Sequence, residues 1–404
     1  MSVASRADKV VQQDAVSVRL MRDQGAIIIA KGNCSEGCMT IHSNSHIWGE
    51  AKNPLDNSRT TGGSSGGDAG MIAGGCSPLA LATDFAGSIR IPSFFNGLVG
   101  FLPSPERHST QGISCYTKYD SVHTKIFRPC IGPISRCVDD IVEAMKVLDS
   151  SKARKYDKLV PDQPFDQELY DHILNKKSLR IGVIKNISDI VTLEKESLNA
   201  YEESKEAFIK GGHEIVEFEM VDLFKFVMNG VHILNNEAFP LILDEMMDKG
   251  DPLNVNIQVF LFMFNVLPKF IKKVLGTLAG LFLPRVVSEL LKNLHPANTG
   301  TLSAMTKYRF TKIQEFTDIL TSKDLDGVLI PGYHSVPFEF SEKANHDLPP
   351  LQIYLMNVLH CPVGAVPVPQ RGENKLPVGV QIASTQWRDE KALAVMKVLE
   401  TLLN

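Results

Sequence analysis

The chain has 404 residues, 44% of them hydrophobic and 22% charged, with a formal net charge of −4. That balance excludes a disordered chain, which has too little apolar surface to bury, and the basic footprint of a nucleic-acid binder. Seven cysteines follow a polar start, MSVASRADKVVQQDAV, that lacks the apolar core of a secretory signal, so reduced thiols in a cytosolic setting are expected.

Taken in chain order, residues 9–23 place Val10, Val11, Ala15, Val16, Val18, Leu20 and Met21 at helical spacing, and AIIIA (Ala26 to Ala30) predicts a short buried strand. Residues 33–58 are polar and loop-like. Cys137 to Leu148 predicts an amphipathic helix with Val138, Ile141, Val142, Ala144, Met145 and Leu148 on one side. A strand at Leu179 to Ile184, a helix at Leu198 to Gly211 and a strand at HEIVEFEM give a β-α-β order, which points to a sheet covered by helices. DGVLIP (Asp326 to Pro331), PVGAVPVP (Pro362 to Pro369) and PVGVQI (Pro377 to Ile382) add strands, and Trp387 to Leu403 closes the chain as a helix. Only the polar run 149–178 reads as a candidate linker.

Thr60 to Ser93 carries eight glycines together with Met71, Ile72, Leu79, Leu81, Phe85, Ile89 and Ile91. Glycine costs a helix about 1 kcal/mol against alanine, so the segment predicts no helix, and flexible linkers do not carry such apolar side chains. A phosphate loop would need a lysine that is absent after Gly67. A dinucleotide fingerprint would need different glycine spacing, and an α/β-hydrolase elbow would need GxSxG where AGSIR stands at Ser88. What remains is serines on glycine-rich backbone. Such backbone lets N–H groups converge into an oxyanion hole beside a candidate nucleophile; a tight structural turn stays the alternative.

GGSSGGDAG followed by SPLALATDFAGSIRIPSFFNGLVGF resembles the amidase signature, with Ser64 and Ser88 twenty-four residues apart. QGAIIIAKGN, GPISRCVDDI, HCPVGAVPV and LPVGVQIAS fit the same family in the same order, so the likeness covers nearly the whole chain. Within that family the fatty acid amide hydrolases are most similar. The resemblance implies one α/β domain over 1–404, a large mixed twisted β-sheet covered by helices on both faces, and no cofactor. It implies a Ser-Ser-Lys triad with Ser88 as nucleophile and Ser64 as bridging serine, usually on a cis peptide bond, and with Ser65 as its hydrogen-bonding neighbour. It also implies an oxyanion hole from the N–H groups of Phe85, Ala86, Gly87 and Ser88, and an acyl pocket lined near the nucleophile by Cys38 and Met39. Asp84 and Arg90, which flank the nucleophile, read as a structural ion pair rather than catalytic groups.

Two departures from the family pattern carry expectations. Ala86 stands where the family has glycine, so the oxyanion loop is expected to be shifted or strained. The family's catalytic lysine falls upstream of Met1 in an ungapped extension, and Lys9, Lys31 and Lys52 match no motif. A truncated gene model, an alternative transcript or a pseudoenzyme would account for this. Activity of the chain as it stands is therefore in question, and a missing N-terminal segment is expected to expose core surface.

Residues 257–284, IQVFLFMFNVLPKFIKKVLGTLAGLFLP, are too interrupted by Asn265, Pro268, Lys269, Lys272 and Lys273 to span a bilayer. Two short helices separated by Pro268 fit, either as a monotopic membrane contact or as a buried helical pair. The resemblance implies a membrane cap over 253–290 and a long-chain lipid amide, such as a fatty amide or N-acylethanolamine, as substrate. The expected setting is cytoplasmic and peripherally membrane-associated, with a homodimer among the expected partners and no nucleic acid. The second reading is a catalytically silent, membrane-associated relative that binds lipid amides. A third, a small-amide hydrolase of the amidotransferase kind, is weakened by 257–284. Cys34, Cys38, His42 and His46 fall at intervals of four but lie on loop-like sequence, and no metal is assigned to them.

Overall fold

A computed structural model describes residues 2, 7–8, 10–113, 127, 129–246, 267–283, 285–293, 295–342, 350–370 and 375–404, with backbone only over 238–246. Its frame is an eight-stranded mixed sheet. The strands are β1 (Leu79–Asp84), β2 (Val99–Leu102), β3 (Cys130–Ser135), β4 (Arg180–Ile184), β5 (Glu214–Phe218), β6 (Gly327–Pro331), β7 (Val363–Val368) and β8 (Val378–Ala383). They lie in the order β1-β3-β2-β7-β8-β6-β4-β5. Pairing is antiparallel from β1 to β6, with Asp84 opposite Cys130 and Val363 opposite both Leu102 and Ala383. Only the β6-β4-β5 end is parallel.

The strands are nearly continuous apolar runs because both faces of the sheet are covered. Successive residues face opposite cores: Val328 and Ile330 enter one cluster, and Leu329 enters the other. Against the first face pack α7 (Leu223–Met246), α10 (Thr299–Ser322) and α11 (Leu351–Leu359), through residues such as Phe226, Phe316 and Leu355. Against the second pack α4 (Val138–Leu148), α5 (Gln167–Leu174), α6 (Lys195–Lys210) and α12 (Asp389–Leu403), through Met145, Tyr170, Phe208 and Met396. The run 149–178 is no free linker: Ala153 and Val160 are buried against Val16 and Leu20 of α1 (Val16–Asp23), and Tyr170 and Ile173 enter the sheet core. Arg107 is buried among Asp149, Asp389 and Glu390, which ties the loop after β2 to the start of α12.

Three local expectations are corrected. The N-terminal helix begins only at Val16, and Val10 and Val11 lie exposed before it. AIIIA is not a strand: Ala26 to Ala30 is irregular, and Ile27 is 86% exposed. No described strand pairs with it, and an unpaired strand leaves its backbone groups without ladder partners.

The third correction concerns the glycine-rich stretch. Gly66–Ala73, GGDAGMIA, forms helix α2 despite three glycines. Tertiary fit overrides propensity here. A Cβ on Gly66 would sit 2.3 Å from Thr61 Oγ1, and one on Gly67 would sit 2.1 Å from the backbone nitrogen of Asn33. The Gly67 N–H meanwhile donates to the Asn33 carbonyl at 2.8 Å. Gly67→Ala is therefore expected to destabilise by ~2 kcal/mol or more, because a rigid backbone clash outweighs the ~1 kcal/mol gained in helix propensity. Gly70→Ala, whose Cβ would meet Thr61 Cγ2 at 3.3 Å, is expected to be neutral or mildly stabilising. Urea midpoints of the two variants check the contrast; equal losses would refute the clash argument.

Candidate active site

The site is built where β1 ends and α3 (Arg90–Asn96) begins. Asp84, the last residue of β1, turns its carboxylate under the connecting loop. Oδ1 accepts from the Gly87 N–H at 2.7 Å, and Oδ2 accepts from the Ile89 N–H at 3.2 Å. Arg90 completes the knot, with Nε 3.1 Å from Oδ2 and one terminal nitrogen 3.2 Å from Oδ1. Its other terminal nitrogen donates to the Ile353 carbonyl and to Gln381 Oε1, at 2.8 and 2.9 Å. Both side chains are 0% exposed, and they form a buried ion pair. Burial opposes the Asp84 charge, but Arg90 and these hydrogen bonds outweigh it and hold the carboxyl below its usual range.

This knot fixes a loop from which Ser88 emerges half-buried between buried Gly87 and Ile89. Gly87 takes φ 116°, and a Cβ there would lie 2.6 Å from Ile353 Cγ2. Both demands require glycine. The four-donor oxyanion set inferred above is narrowed, because the Gly87 N–H is already engaged by Asp84. Among the described residues no acceptor takes the N–H of Ala86 or Ser88. The strain expected at Ala86 does not arise: its φ is not positive, and together with Phe85 it packs against the core beside α7 and α11.

The second serine loop lies against the first. Ser65 N–H donates to the Ser88 carbonyl at 3.3 Å, and Ser64 and Ser65 are both buried. The Gly63–Ser64 peptide bond is cis. A Cβ on Gly63 would meet the Thr40 carbonyl at 2.8 Å, so segment 40–42 presses on this bond. The Ser64 carbonyl takes two donors, the Ser35 N–H at 3.2 Å and Ser43 Oγ at 3.0 Å. Ser43 Oγ in turn accepts from the Gly66 N–H at 2.8 Å, at the start of α2. Cys38 and Met39 belong to the turn that carries Ser35 and are both half-buried.

The structure thus brings Ser64, Ser65 and Ser88 together, and holds Cys38 and Met39 on a turn anchored to Ser64. It brings no lysine to them: among the described residues none hydrogen-bonds to Ser64 or Ser65, Lys31 and Lys52 are exposed, and Lys9 lies outside the described residues. Also among the described residues, no three His, Cys, Asp or Glu side chains could hold a metal. Sequence reasoning missed Ser43, Asn357 and Gln381. Asn357 Nδ2 donates to Asp84 Oδ1 at 3.2 Å, from the largely apolar helix LQIYLMNVL. A polar residue on an apolar helix was the available signal; nothing singled out Ser43 within HSNSH.

Residues 257–266 of the apolar middle segment lie outside the described residues. Beyond them, α8 (Lys269–Ala279) begins after Pro268 and α9 (Arg285–Asn293) follows. Phe270, Val274, Leu275 and Leu278 of α8 are exposed, as are Leu281 and Leu283, and Phe282 is 86% exposed. No described helix is long and apolar enough to cross a membrane.

Comparison with known proteins gives a consistent assignment. The chain is 33% identical over 287 residues to the chicken (Gallus gallus) vitamin D3 hydroxylase-associated protein, a match that covers 70% of this chain and 59% of that protein. It is 26% identical over 431 residues to pig (Sus scrofa) fatty-acid amide hydrolase 1, covering 96% of this chain and 70% of the relative. It is also 26% identical over 392 residues to a glutamyl-tRNA(Gln) amidotransferase polypeptide of Legionella pneumophila, covering 95% and 76%. A solved fatty acid amide hydrolase superposes with a TM-score of 0.79 at 19% identity, over all of this chain and 70% of that one, so the fold is shared. The Amidase family model matches residues 1–393, and with the eight-stranded mixed sheet around paired serine loops this settles the assignment: the chain belongs to the Amidase family.

Proposed function

We propose that this amide hydrolase cleaves long-chain lipid amides, fatty amides or N-acylethanolamines, through an acyl-enzyme on Ser88. The observation that carries the reading is the half-buried Ser88 on a loop locked by Asp84 and Arg90, with the Ser64–Ser65 loop hydrogen-bonded to it. Ser64 is the bridging serine that relays the nucleophile's proton and returns one to the leaving amine. Ala86 and Ser88 supply oxyanion donors, joined by Phe85 at the start of the loop. Ser65 supports the bridge, and Cys38 and Met39 line the acyl side. By resemblance to the family, a neutral lysine would take the proton from the bridging serine. Among the described residues no lysine hydrogen-bonds to Ser64; the second reading is a silent lipid-amide binder.

The lipid class is supported by the exposed apolar residues of α8 and of 281–283, which suit a peripheral contact with a bilayer. The test is hydrolysis of a long-chain fatty amide in phosphatidylcholine vesicles, beside a short soluble amide, for the wild type and Phe270→Asp/Phe282→Asp. Burying one such ring contributes about 1.5–3 kcal/mol, so the double variant is expected to lose at least tenfold in vesicle binding and turnover. Turnover of the long-chain amide in detergent is expected to stay unchanged. Preference for the short amide would overturn the lipid reading. Vesicle binding without turnover would favour the silent binder.

A further inference from the structure

We propose that Cys34 and Cys38 are a reversible redox pair, which a peroxide oxidises to an intramolecular disulfide across the turn that anchors Ser64. The turn is built to bring them together. Cys38 N–H donates to the Ser35 carbonyl at 2.9 Å, and Met39 N–H donates to the Glu36 carbonyl at 3.2 Å, so the chain reverses between the two cysteines. Gly37 and Cys38 both take the left-handed conformation, at φ 59° and 58°. That region is uncommon for a residue with a side chain, and here it folds Cys38 back across the turn toward Cys34. Both residues are half-buried, so a small oxidant can reach them.

The chemistry suits the geometry. The nearby Cys38 thiol is the main cause that brings the Cys34 thiol down to about 5, against the opposing effect of burial, and the Ser2 hydroxyl 3.4 Å away adds to it. A thiolate with a resolving thiol beside it is the arrangement peroxide sensors use. Asp68 is a half-buried acid near the pair, pushed up to about 6 by burial and by the Cys34 charge. The other described cysteines lack this arrangement. Burial raises the thiols of Cys130, Cys137 and Cys361, and Cys76 is exposed with only a backbone carbonyl beside it.

The reaction balances with hydrogen peroxide as oxidant. The Cys34 thiolate attacks one peroxide oxygen, the O–O bond breaks, and the departing hydroxide takes a proton to become water. Cys34 is then a sulfenic acid. The Cys38 sulfur, giving up its proton, attacks the Cys34 sulfur; the S–S bond forms, the S–O bond breaks and a second water leaves. Two thiols lose two electrons in all, and the peroxide gains them. A dithiol reductant reverses the bridge. Because Ser35, inside the bridged turn, donates to the Ser64 carbonyl, the disulfide would act directly on the serine loop.

The test uses the full folded chain, treated with about one equivalent of hydrogen peroxide, alkylated and digested. Cleavage after Glu36 separates Cys34 from Cys38, so a bridge keeps the two fragments joined until dithiothreitol frees them. The expected result is joined fragments forming at least about tenfold faster in the folded chain than in urea, with Cys76 still a free thiol. Cys34→Ser and Cys38→Ser each abolish the link, and Cys76→Ser leaves it. Cys34 recovered as sulfinic acid with Cys38 alkylated, or an equal rate in urea, would overturn the proposal.

Discussion

Replacing Ser88 by alanine is expected to lower amide turnover by about 10⁴-fold or more, and to remove the adduct that a fluorophosphonate forms on Ser88. The loss is large because a nucleophile has no substitute; the remaining oxyanion donors and binding contacts supply only residual rate. The variant keeps its fold. Ser88 is only half-buried, its φ is not positive, and among the described residues no side-chain hydrogen bond of Ser88 holds the loop, whose support comes from Asp84. Mass spectrometry of the labelled wild type locates the adduct. An adduct on Ser88 that the substitution removes places the nucleophile. A label that survives Ser88→Ala would move it elsewhere, and an unlabelled wild-type chain would favour the silent binder.

Asp84→Ala carries the largest expected loss of stability, about 3–5 kcal/mol, read as a lowered urea midpoint. Removing the carboxylate leaves Arg90 fully buried without its counter-charge, and strips acceptors from the N–H groups of Gly87 and Ile89. The double variant Asp84→Ala/Arg90→Met removes both charges and is expected to recover part of the loss; no recovery would refute the account. The pH dependence has a definite sign. The folded pKa of Asp84 is depressed, so its contribution is present above the ordinary carboxylate range and disappears as pH falls through the folded value. The stability gap between wild type and Asp84→Ala should therefore narrow on acidification. A gap that widens in acid would contradict the ion pair's role.

The sheet was legible where apolar runs are short and bounded by turn residues. RIGVI, GVLIP and VGVQIA are strands because they alternate between two buried faces. AIIIA is just as apolar and is not one, since a strand exists only if a neighbour supplies its ladder, and composition does not report neighbours. Helix α2 was misread for the opposite reason: its glycines are dictated by Asn33, Ser43 and Thr61, which approach from outside the helix. In the site, Ser64 and Ser88 were legible through the signature, and so was the Asp84–Arg90 pair. The engagement of the Gly87 N–H by Asp84, the ease of Ala86 and the bracing by Ser43 depend on dihedrals and through-space contacts that no spacing encodes.

The strand order also has a consequence for how the chain is made. The two middle strands, β7 and β8, are the last in sequence, and among the described strands they alone join β1-β3-β2 to β6-β4-β5. On a ribosome, β2 waits for β7 through roughly 260 residues, on the order of 10–50 s at ordinary elongation rates. During that time β2 presents an unpaired inner edge, the kind of template on which nascent chains aggregate, whereas β6 waits for β8 through only about 50 residues. Arg107 waits even longer, since Asp389 and Glu390 emerge after every strand. The sheet therefore stays in two halves until its final segment arrives, and shielding of the β2 edge until then would limit aggregation of a nascent copy.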